Sequence, residues 1–293
     1  MNKKMVADGL GWPEGPTVLD DGRVCFVETF RSQVSVYGKG EGVCRYAYTA
    51  GGPNACVIGA AGELYVCQNG GTCGPWRAEE MVVPSIQRIG PEGSPTEVVA
   101  TELEGVKLNG PNDLVFGPDG SLYFTDPGTY RPDDPEPSYL FVLHPDGTGK
   151  LLLEFDPPTF PNGIAFDGTG RLVWTESYTG MVRRMDLGLG KVEDIGRLPG
   201  ERPVADGLAV AADGRLFVTS VNGAGIDVML EDGEIVESIP VCPNPTNCVF
   251  TGDTLYVTAA NALADTTEPS FTGSIWSVEA GVVGVPTCRG SIS

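Results

Sequence analysis

Six oxygen-bearing side chains stand at the same point of a recurring sequence pattern. Each is followed by a short apolar run and then a glycine-containing turn, and the six are Glu14, Asn54, Asn112, Asn162, Asp206 and Asn247. Taken singly, Asn-Gly and Asp-Gly are ordinary turn dipeptides, and Glu14 between two prolines is an ordinary loop acid. Brought together, the two carboxylates would repel each other unless a cation or a shared proton neutralised them. The pattern therefore predicts a metal centre or, as the alternative, a metal-free polar plug.

The ligand types narrow the choice of ion. Oxygen donors with two negative charges suit a hard divalent cation, Ca²⁺ first and Mg²⁺ or Mn²⁺ next. Zn²⁺ and Fe²⁺ stay on the list of candidates. The single histidine, His144, lies in a Leu-His-Pro-Asp-Gly turn, so Ser-His-Asp or Cys-His catalysis and His-rich metal sites are disfavoured. No G-x-S-x-G, dinucleotide-binding or P-loop motif is present.

An internal repeat supplies the elements that would bring these side chains together. Six phrases of the type PDGSLYFTD (118–126) or ADGRLFVTS (212–220) recur, each with a pivot glycine followed by an alternating strand. The pivot glycines are 22, 62, 120, 170, 214 and 252, with spacings of 40, 58, 50, 44 and 38 residues. A four-stranded propeller blade takes about 40 to 50 residues. The repeat therefore predicts six blades.

Each unit carries four strand patterns. The apolar run before the pivot is typical of an inner strand buried on both faces, and two further strands follow the strand after the pivot. For the last unit, residues 282–287 are predicted as the fourth strand. We therefore expect an all-β fold, a six-bladed β-propeller with four antiparallel strands per blade, forming one domain over residues 1–293.

The propeller topology predicts where the pocket walls lie. The first residues of all inner strands meet at one mouth of the central channel, and the loops between second and third strands lie on the same face. The long loops are residues 67–84, 126–138 and 259–273. They are expected to rim the site with Trp76, Arg77, Tyr130, Arg131 and Phe271.

Composition restricts the partners and the compartment. The net charge of −20 repels phosphate backbones and anionic membrane surfaces, so neither nucleic acid nor a membrane is an expected partner. No apolar run is long enough for a membrane span, and residues 1–13 lack the apolar core of a signal peptide. The eight cysteines mostly lie in apolar runs, which favours free thiols in a cytoplasmic protein. Disulfides between Cys67 and Cys73 or between Cys242 and Cys248 are the alternative.

At the same residues the chain resembles the SMP-30/gluconolactonase/LRE family of lactonases. The matching segments are WPEGPTV (12–18), LNGPNDLVFGPDGSLYFTDPG (108–128), FPNGIAFDGTGR (160–171) and VADGLAVAADGRLFVTS (204–220). The resemblance implies a divalent metal held by Glu14, Asn162 and Asp206, with Asp206 also the general base. It implies that Asn112 lines the pocket and contacts substrate or water, with Asp113 beside it. Some members carry an arginine where this chain has Gly110, which makes Arg77 and Arg131 the candidate replacements.

These observations predict a hydrolase acting on a carboxylic ester, which opens a sugar-type (aldono) lactone with one divalent metal. The metal would polarise the carbonyl and activate water, Asp206 would accept the proton, and Asn112 would help stabilise the oxyanion. Two alternatives stay open: an aryl-ester or organophosphate hydrolase or a lyase on the same scaffold, and a non-catalytic calcium-binding propeller. The expected partner is a small-molecule lactone, and the expected assembly is a monomer or a small homo-oligomer.

Overall fold

A computed structural model describes residues 2–91, 93–94 and 96–293. The chain forms a six-bladed β-propeller, in which each blade is a sheet of four antiparallel strands. Among the described residues there is no α-helix, and no helix is long and apolar enough to cross a membrane. The fold predicted from the repeat is confirmed.

The strands follow the chain from the inside of each blade outwards, except that the first strand, β1 (Lys3–Leu10), belongs to the last blade. The strands of blades one to three are β2 (Pro13–Val18), β3 (Val24–Glu28), β4 (Gln33–Gly38) and β5 (Gly42–Tyr48); β6 (Pro53–Ile58), β7 (Leu64–Gln68), β10 (Ser85–Ile89) and β11 (Thr96–Ala100); and β14 (Leu114–Phe116), β15 (Leu122–Asp126), β16 (Ser138–Leu143) and β17 (Gly149–Phe155). Two short hairpins interrupt this order, β8 (Thr72–Cys73) with β9 (Trp76–Arg77) and β12 (Glu102–Leu103) with β13 (Val106–Lys107).

Blades four to six continue the same arrangement. Their strands are β18 (Pro161–Phe166), β19 (Leu172–Glu176), β20 (Met181–Asp186) and β21 (Lys191–Arg197); β22 (Ala205–Val210), β23 (Leu216–Ser220), β24 (Gly225–Met229) and β25 (Ile235–Pro240); and β26 (Pro245–Thr251), β27 (Thr254–Ala259) and β28 (Gly273–Glu279), with β1 as the outermost. A short 3₁₀ helix (Thr29–Arg31) follows β3. All six pivot glycines have positive φ, between 59° and 90°, as the turn after each inner strand requires.

The sixth blade differs from the sequence prediction. Residues 282–287 do not form its fourth strand; β1 pairs with β28 instead, with Lys3 opposite Val278 and Leu10 opposite Gly273. Pairing the first strand with the last blade closes the ring through main-chain hydrogen bonds between the two ends of the propeller. The prediction that residues 282–287 form a strand of this blade is therefore wrong; within them only Gly284 makes an isolated bridge, to Ala211.

The segment after β28 crosses the face of the propeller that carries the pivot turns. The Val285 N–H donates to Val210 O at 2.9 Å, and the Ala60 N–H donates to Gly290 O at 2.9 Å. The Ile292 N–H donates to Tyr65 Oη at 2.8 Å, and the Ile292 side chain is buried in the cluster of Tyr65 and Phe116. This bottom face of the propeller, opposite the predicted site, is therefore covered by the C-terminal segment.

The apolar core is divided among the blade interfaces. One cluster joins Val66 and Leu64 of blade two to Val27 and Val36 of blade one, and comparable clusters join the other neighbouring blades. All eight cysteines lie within the described residues and are free thiols, so the two alternative disulfides do not form.

Candidate active site

The inner strands begin with irregular pairing at the predicted polar residues. Five of the six inner strands shift register against the second strand of their blade at this point, between Glu14 and Thr17, Pro53 and Ala55, Pro161 and Ile164, Ala205 and Leu208, and Pro245 and Asn247. A β-bulge turns side chains away from the regular alternation of a strand. The Glu-Gly, Asn-Gly and Asp-Gly pairs are thus strand bulges at the channel mouth and not turns.

The glycines of these pairs make room for the next blade. A Cβ on Gly15 would lie 2.1 Å from the Cα of Ala55, and Gly15 has a φ of +42°. A Cβ on Gly207 would lie 2.2 Å from Cγ of Asn247. Because only glycine permits this approach, consecutive inner strands draw close enough for their polar side chains to face one space.

A ring of hydroxyl groups ties the inner strands together at the same level. Thr125 Oγ1 donates to Asn162 O at 2.8 Å, and Thr175 Oγ1 donates to Asp206 O, so each hydroxyl links its own blade to the next. The corresponding donors elsewhere are Thr29 to Pro53 O, Thr219 to Thr246 O and Thr246 to Pro13 O. Between blades two and three the link comes from Asn54 Nδ2, which donates to Asn112 O. The backbone that carries the candidate ligands is therefore held from both sides.

Glu14, which is buried, and Asp206, which is partly exposed to the pocket, have no cationic partner among the described residues. Glu14 is 4% exposed, and burial together with the charge of Asp206 raises its pKa well above the usual range. Burial and the nearby charge of Asp113 raise the pKa of Asp206 in the same way, opposed by a hydrogen bond from Asn162. The Gly15 N–H donates to Glu14 Oε2 at 2.6 Å.

A third carboxylate, Asp113, is buried outside the cavity lining. Burial raises the pKa of Asp113 to about 6, although its carboxylate accepts from Asn247 Nδ2 at 3.0 Å and from the Leu114 N–H at 2.8 Å. Hydrogen bonding from Asn247 also lowers the pKa of Glu14. Asn247 therefore connects Glu14 and Asp113, a link that the sequence pattern did not reveal.

The two amide side chains, Asn162 and Asn112, differ in whether they are hydrogen-bonded within the protein. Asn162 Nδ2 donates to Ser177 Oγ at 3.1 Å, and Ser177 Oγ in turn donates to Ala205 O. The Asn112 side chain, by contrast, makes no hydrogen bond within the described part of the chain and is partly exposed to the pocket. Asn112 is therefore the amide that is free to contact a ligand.

The donor set fits a divalent cation. Burying an unpaired charge raises the free energy of the folded protein, and two neighbouring carboxylates repel each other. A cation bound between them would relieve both effects. Glu14, Asp206 and the Asn162 amide supply the oxygen donors that hard divalent ions prefer. No group of three or more His, Cys, Asp or Glu side chains arranged for a metal occurs in residues 2–91, 93–94 and 96–293, so the amide is needed to complete the set.

A cavity of about 420 Å³ opens above these residues. All three loops predicted to rim the site contribute to it, through Asn69 and residues 72–74, through residues 128–130, and through residues 263–265. Tyr130 lines the cavity as expected, and Glu14, Asn54, Asn112, Asn162 and Asp206 form its base. The structure thus brings together all three candidate ligands and the candidate oxyanion donor.

Four predicted substrate contacts lie outside the cavity lining. Trp76 is buried, with its ring 5.0 Å from that of Phe30. The Arg77 guanidinium is held by Gly74 O and Trp76 O, both at 2.7 Å. Arg131 pairs with Glu136 at 3.4 Å, and Asp113 lies beneath the base. Neighbouring carbonyl groups hold Arg77, and Glu136 pairs with Arg131, so neither guanidinium lines the cavity in this structure.

Two other features are separate from the candidate site. An open groove of about 710 Å³ lies between Val83 and Tyr139 and shares only Asn109 with the axial cavity. His144 lies on the bottom face, where its Nδ1 is 3.0 Å from Ser121 Oγ. Neither feature brings two buried carboxylates together, so the axial cavity is the candidate site.

Sequence reasoning missed several residues of the cavity. Trp12 and Phe160 line it, and each directly precedes the proline that opens an inner strand. Ser177 orients Asn162, and Cys73 faces Glu14 closely enough that burial, with the charge of Glu14, raises its pKa to about 12. The aromatic-Pro-Glu and aromatic-Pro-Asn tripeptides at 12–14 and 160–162 were the available signal for the first two.

The chain belongs to the family described as SMP-30/Gluconolactonase/LRE-like region, whose pattern matches residues 12–261. A gluconolactonase of Zymomonas mobilis subsp. mobilis is 25% identical over 300 aligned positions, which cover 88% of this chain and 79% of the relative. A gluconolactonase structure from Xanthomonas campestris superposes with a TM-score of 0.74 at 21% identity, covering 97% of this chain and 89% of the other. Regucalcin of Agrobacterium tumefaciens, described as a calcium-binding protein, superposes with a TM-score of 0.74 at 17% identity, covering 98% and 96%. The two structural likenesses show the shared fold.

Proposed function

We propose that this protein is a lactone hydrolase that opens a sugar-type (aldono) lactone at the axial cavity, with one divalent cation held by Glu14, Asn162 and Asp206. The observation that carries the proposal is the pair of carboxylates that line the axial cavity, Glu14 and Asp206, without a cationic partner in the described chain. Membership of the gluconolactonase-like family and the similarity to a gluconolactonase support the lactone as the substrate. Ca²⁺ is the first candidate ion, in line with the oxygen donors.

When bound, such a cation supplies Lewis-acid activation of an ester carbonyl and of water. Asp206 acts as the general base: its carboxylate lines the cavity together with Asn112 and accepts a proton from the water that adds to the carbonyl carbon. Asn112 donates its free amide N–H to the oxygen that becomes negative. The bond between the carbonyl carbon and the ring oxygen then breaks, and Asp206 returns the proton to the ring oxygen, which becomes a hydroxyl group of the open-chain product.

The backbone around these residues has a positioning function. The Thr125 and Thr175 hydroxyls and the bulged strand starts fix Asn162 and Asp206, so that the reacting groups need little rearrangement. The cavity of about 420 Å³ accommodates a small ring, and the C-terminal segment covers the opposite face, which leaves the upper mouth as the route of entry.

The test is a substrate and metal panel. The purified chain should open δ-gluconolactone, lose activity after chelation and regain it with Ca²⁺, Mn²⁺, Mg²⁺, Zn²⁺ or Fe²⁺ in an order that identifies the preferred ion. Metal analysis should give about one ion per chain. Higher rates on aryl esters or phosphotriesters would favour the alternative hydrolases, and stoichiometric Ca²⁺ binding without turnover of any lactone would favour a calcium-binding propeller. Full activity in verified metal-free protein would overturn the mechanism.

A further inference from the structure

Trp12 and Phe160 occupy equivalent positions in blades one and four. Each precedes the proline that opens an inner strand, and each lies two residues before a candidate metal ligand, Glu14 or Asn162. Both have a φ of +57°, in the left-handed region that bulky residues rarely enter. Such strain persists only where the surrounding structure enforces it and concentrates at functional sites.

The strained backbone is fixed in the same way in both blades. The Thr29 N–H donates to Trp12 O at 3.1 Å, and the Ser177 N–H donates to Phe160 O at 2.9 Å. Both donors directly follow the second strand of their own blade. The two aromatic side chains are therefore placed by a repeated backbone device and not by chance packing.

The propeller puts the two rings on opposite walls. Blades one and four are separated by two blades on either side in a six-bladed ring, and both side chains line the axial cavity. Each is supported from behind: the ring of Trp12 lies 5.4 Å from that of Phe30, and the ring of Phe160 lies 5.1 Å from that of Tyr130. The cavity thus has two braced aromatic walls with the carboxylates between them.

The charged side chains that line the cavity are acidic. Among the described residues, no Lys, Arg or His lines it, whereas Glu14, Asp206 and Asp265 do. The two arginines of the rim loops are held away from it by Gly74 O and by Glu136. The proposed divalent cation would offset Glu14 and Asp206, so Asp265 leaves the cavity with a net negative charge that a phosphate or carboxylate on a ligand would meet.

We propose that Trp12 and Phe160 determine substrate specificity as an aromatic clamp, which holds an uncharged lactone ring by its two faces, and that the cavity rejects lactones bearing a phosphate or carboxylate. This inference rests on the proposed lactone hydrolase function and adds to it the residues and the charge that select the substrate. Ring faces pack against aromatic side chains through apolar C–H groups, whereas like charges brought together in a cavity disfavour binding.

The test compares δ-gluconolactone with its 6-phosphate ester and uses the corresponding lactam as a probe of binding without turnover. Trp12→Leu and Phe160→Leu should each raise KM and the dissociation constant of the lactam about tenfold, with kcat changed much less. The wild type should prefer the neutral lactone about 100-fold in kcat/KM. Asp265→Asn should narrow that preference by raising kcat/KM for the 6-phosphate ester.

Phe271→Leu is the matched control, because Phe271 is a partly exposed aromatic residue on a rim loop that packs on Arg31 outside the cavity lining. It should change none of these constants. Trp12→Phe keeps an aromatic ring and should restore binding if Trp12→Leu folds poorly. Unchanged lactam affinity in both leucine variants, or equal kcat/KM for the neutral and phosphorylated lactones, would overturn the clamp. If no lactone is opened at all, the proposed function fails, and lactam binding still decides whether the clamp exists.

Discussion

The two ends of strand β22 carry the same residue type in opposite environments. Asp206 lies at its start, where burial and the charge of Asp113 raise its pKa. Asp213 lies in the turn after its end, where a hydrogen bond from Arg215 lowers its pKa, with the Arg215 Nη2 at 2.8 Å. Among the described residues the first carboxylate has no cationic partner, and the second has one in Arg215.

The same contrast separates the two mouths of the channel. On the bottom face, Asp21 with Arg23 and Asp167 with Arg171 repeat the pairing of Asp213 with Arg215. On the upper face, Glu14, Asp113 and Asp206 have raised pKa values, and Trp12 and Phe160 have strained backbones. In this repeat the carboxylates of the turns therefore have arginine partners, whereas those near the starts of the inner strands do not.

The largest effect should come from changing the two aspartates of β22 separately. Asp206→Asn keeps an oxygen ligand but removes the general base, so kcat should fall about 10²- to 10⁴-fold. Asp213→Asn should leave kcat unchanged, because Asp213 lies on the bottom face and its exposed ion pair contributes little to the free energy of unfolding. Steady-state kinetics on δ-gluconolactone gives both values.

A metal titration separates base from ligand. Glu14→Gln should weaken metal affinity and recover rate in excess metal, whereas Asp206→Asn should stay slow at every metal concentration. If excess metal fully rescues Asp206→Asn, Asp206 is only a ligand, and Asp113 becomes the next candidate base.

A second large effect should be confined to stability and to the bottom face. Ile292 is 1% exposed and packs in the cluster of Tyr65 and Phe116. Ile292→Ala should lower the free energy of unfolding by about 2 to 4 kcal/mol. Urea unfolding measures this change, and kcat of the folded fraction should equal that of the wild type. A loss of kcat would show that the C-terminal segment acts on the upper face as well.

A third effect concerns how stability depends on pH in chelated protein. The folded pKa of Asp113, about 6, lies above its unfolded value of about 3.9, so its contribution is complete below pH 4 and is lost as the pH rises through 6. The wild type should lose up to about 3 kcal/mol between pH 4 and pH 8 from this group. Asp113→Asn should flatten that part of the profile, measured as Tm against pH.

The Asp213→Asn variant is the control, because the pKa of Asp213 is shifted in the opposite direction to that of Asp113. The folded pKa of Asp213 is lowered, so its contribution is present above pH 4 and is lost only as the pH falls below that value. Its profile between pH 5 and pH 8 should match the wild type. If Asp113→Asn keeps the wild-type slope of Tm against pH, the titration of Asp113 does not cause that slope.

The smallest effect should come from the rim. Tyr130 is 44% exposed and lines the cavity beside Phe160. Tyr130→Ala should change the ratio of kcat/KM between substituted lactones by about two- to tenfold, with little change in Tm. Equal losses for all lactones together with a marked fall in Tm would place Tyr130 in the structural core.

The repeat made most of the fold and the base of the site predictable. Glycine turns followed by alternating strands determine local structure, and their six-fold recurrence leaves few architectures other than a propeller. The phase of Glu14, Asn162 and Asp206 within the repeat then places them at one mouth, because topology fixes where inner strands begin. The rim was less predictable: Arg131 shares a loop with Tyr130, and Trp76 and Arg77 share one with the lining residue Cys73, yet sequence alone does not give the direction of a loop side chain.

The sequence by itself determined the number of blades and the face that carries the polar side chains, because these follow from the period of the repeat and from the phase of the polar residues within it. Only the tertiary structure decided that β1 closes the sixth blade, that Asn247 joins Glu14 to Asp113, and that both rim arginines are held away from the cavity. These outcomes depend on contacts between residues far apart in the chain. Such contacts are selected by burial, charge and hydrogen bonding among neighbours that a linear pattern does not identify.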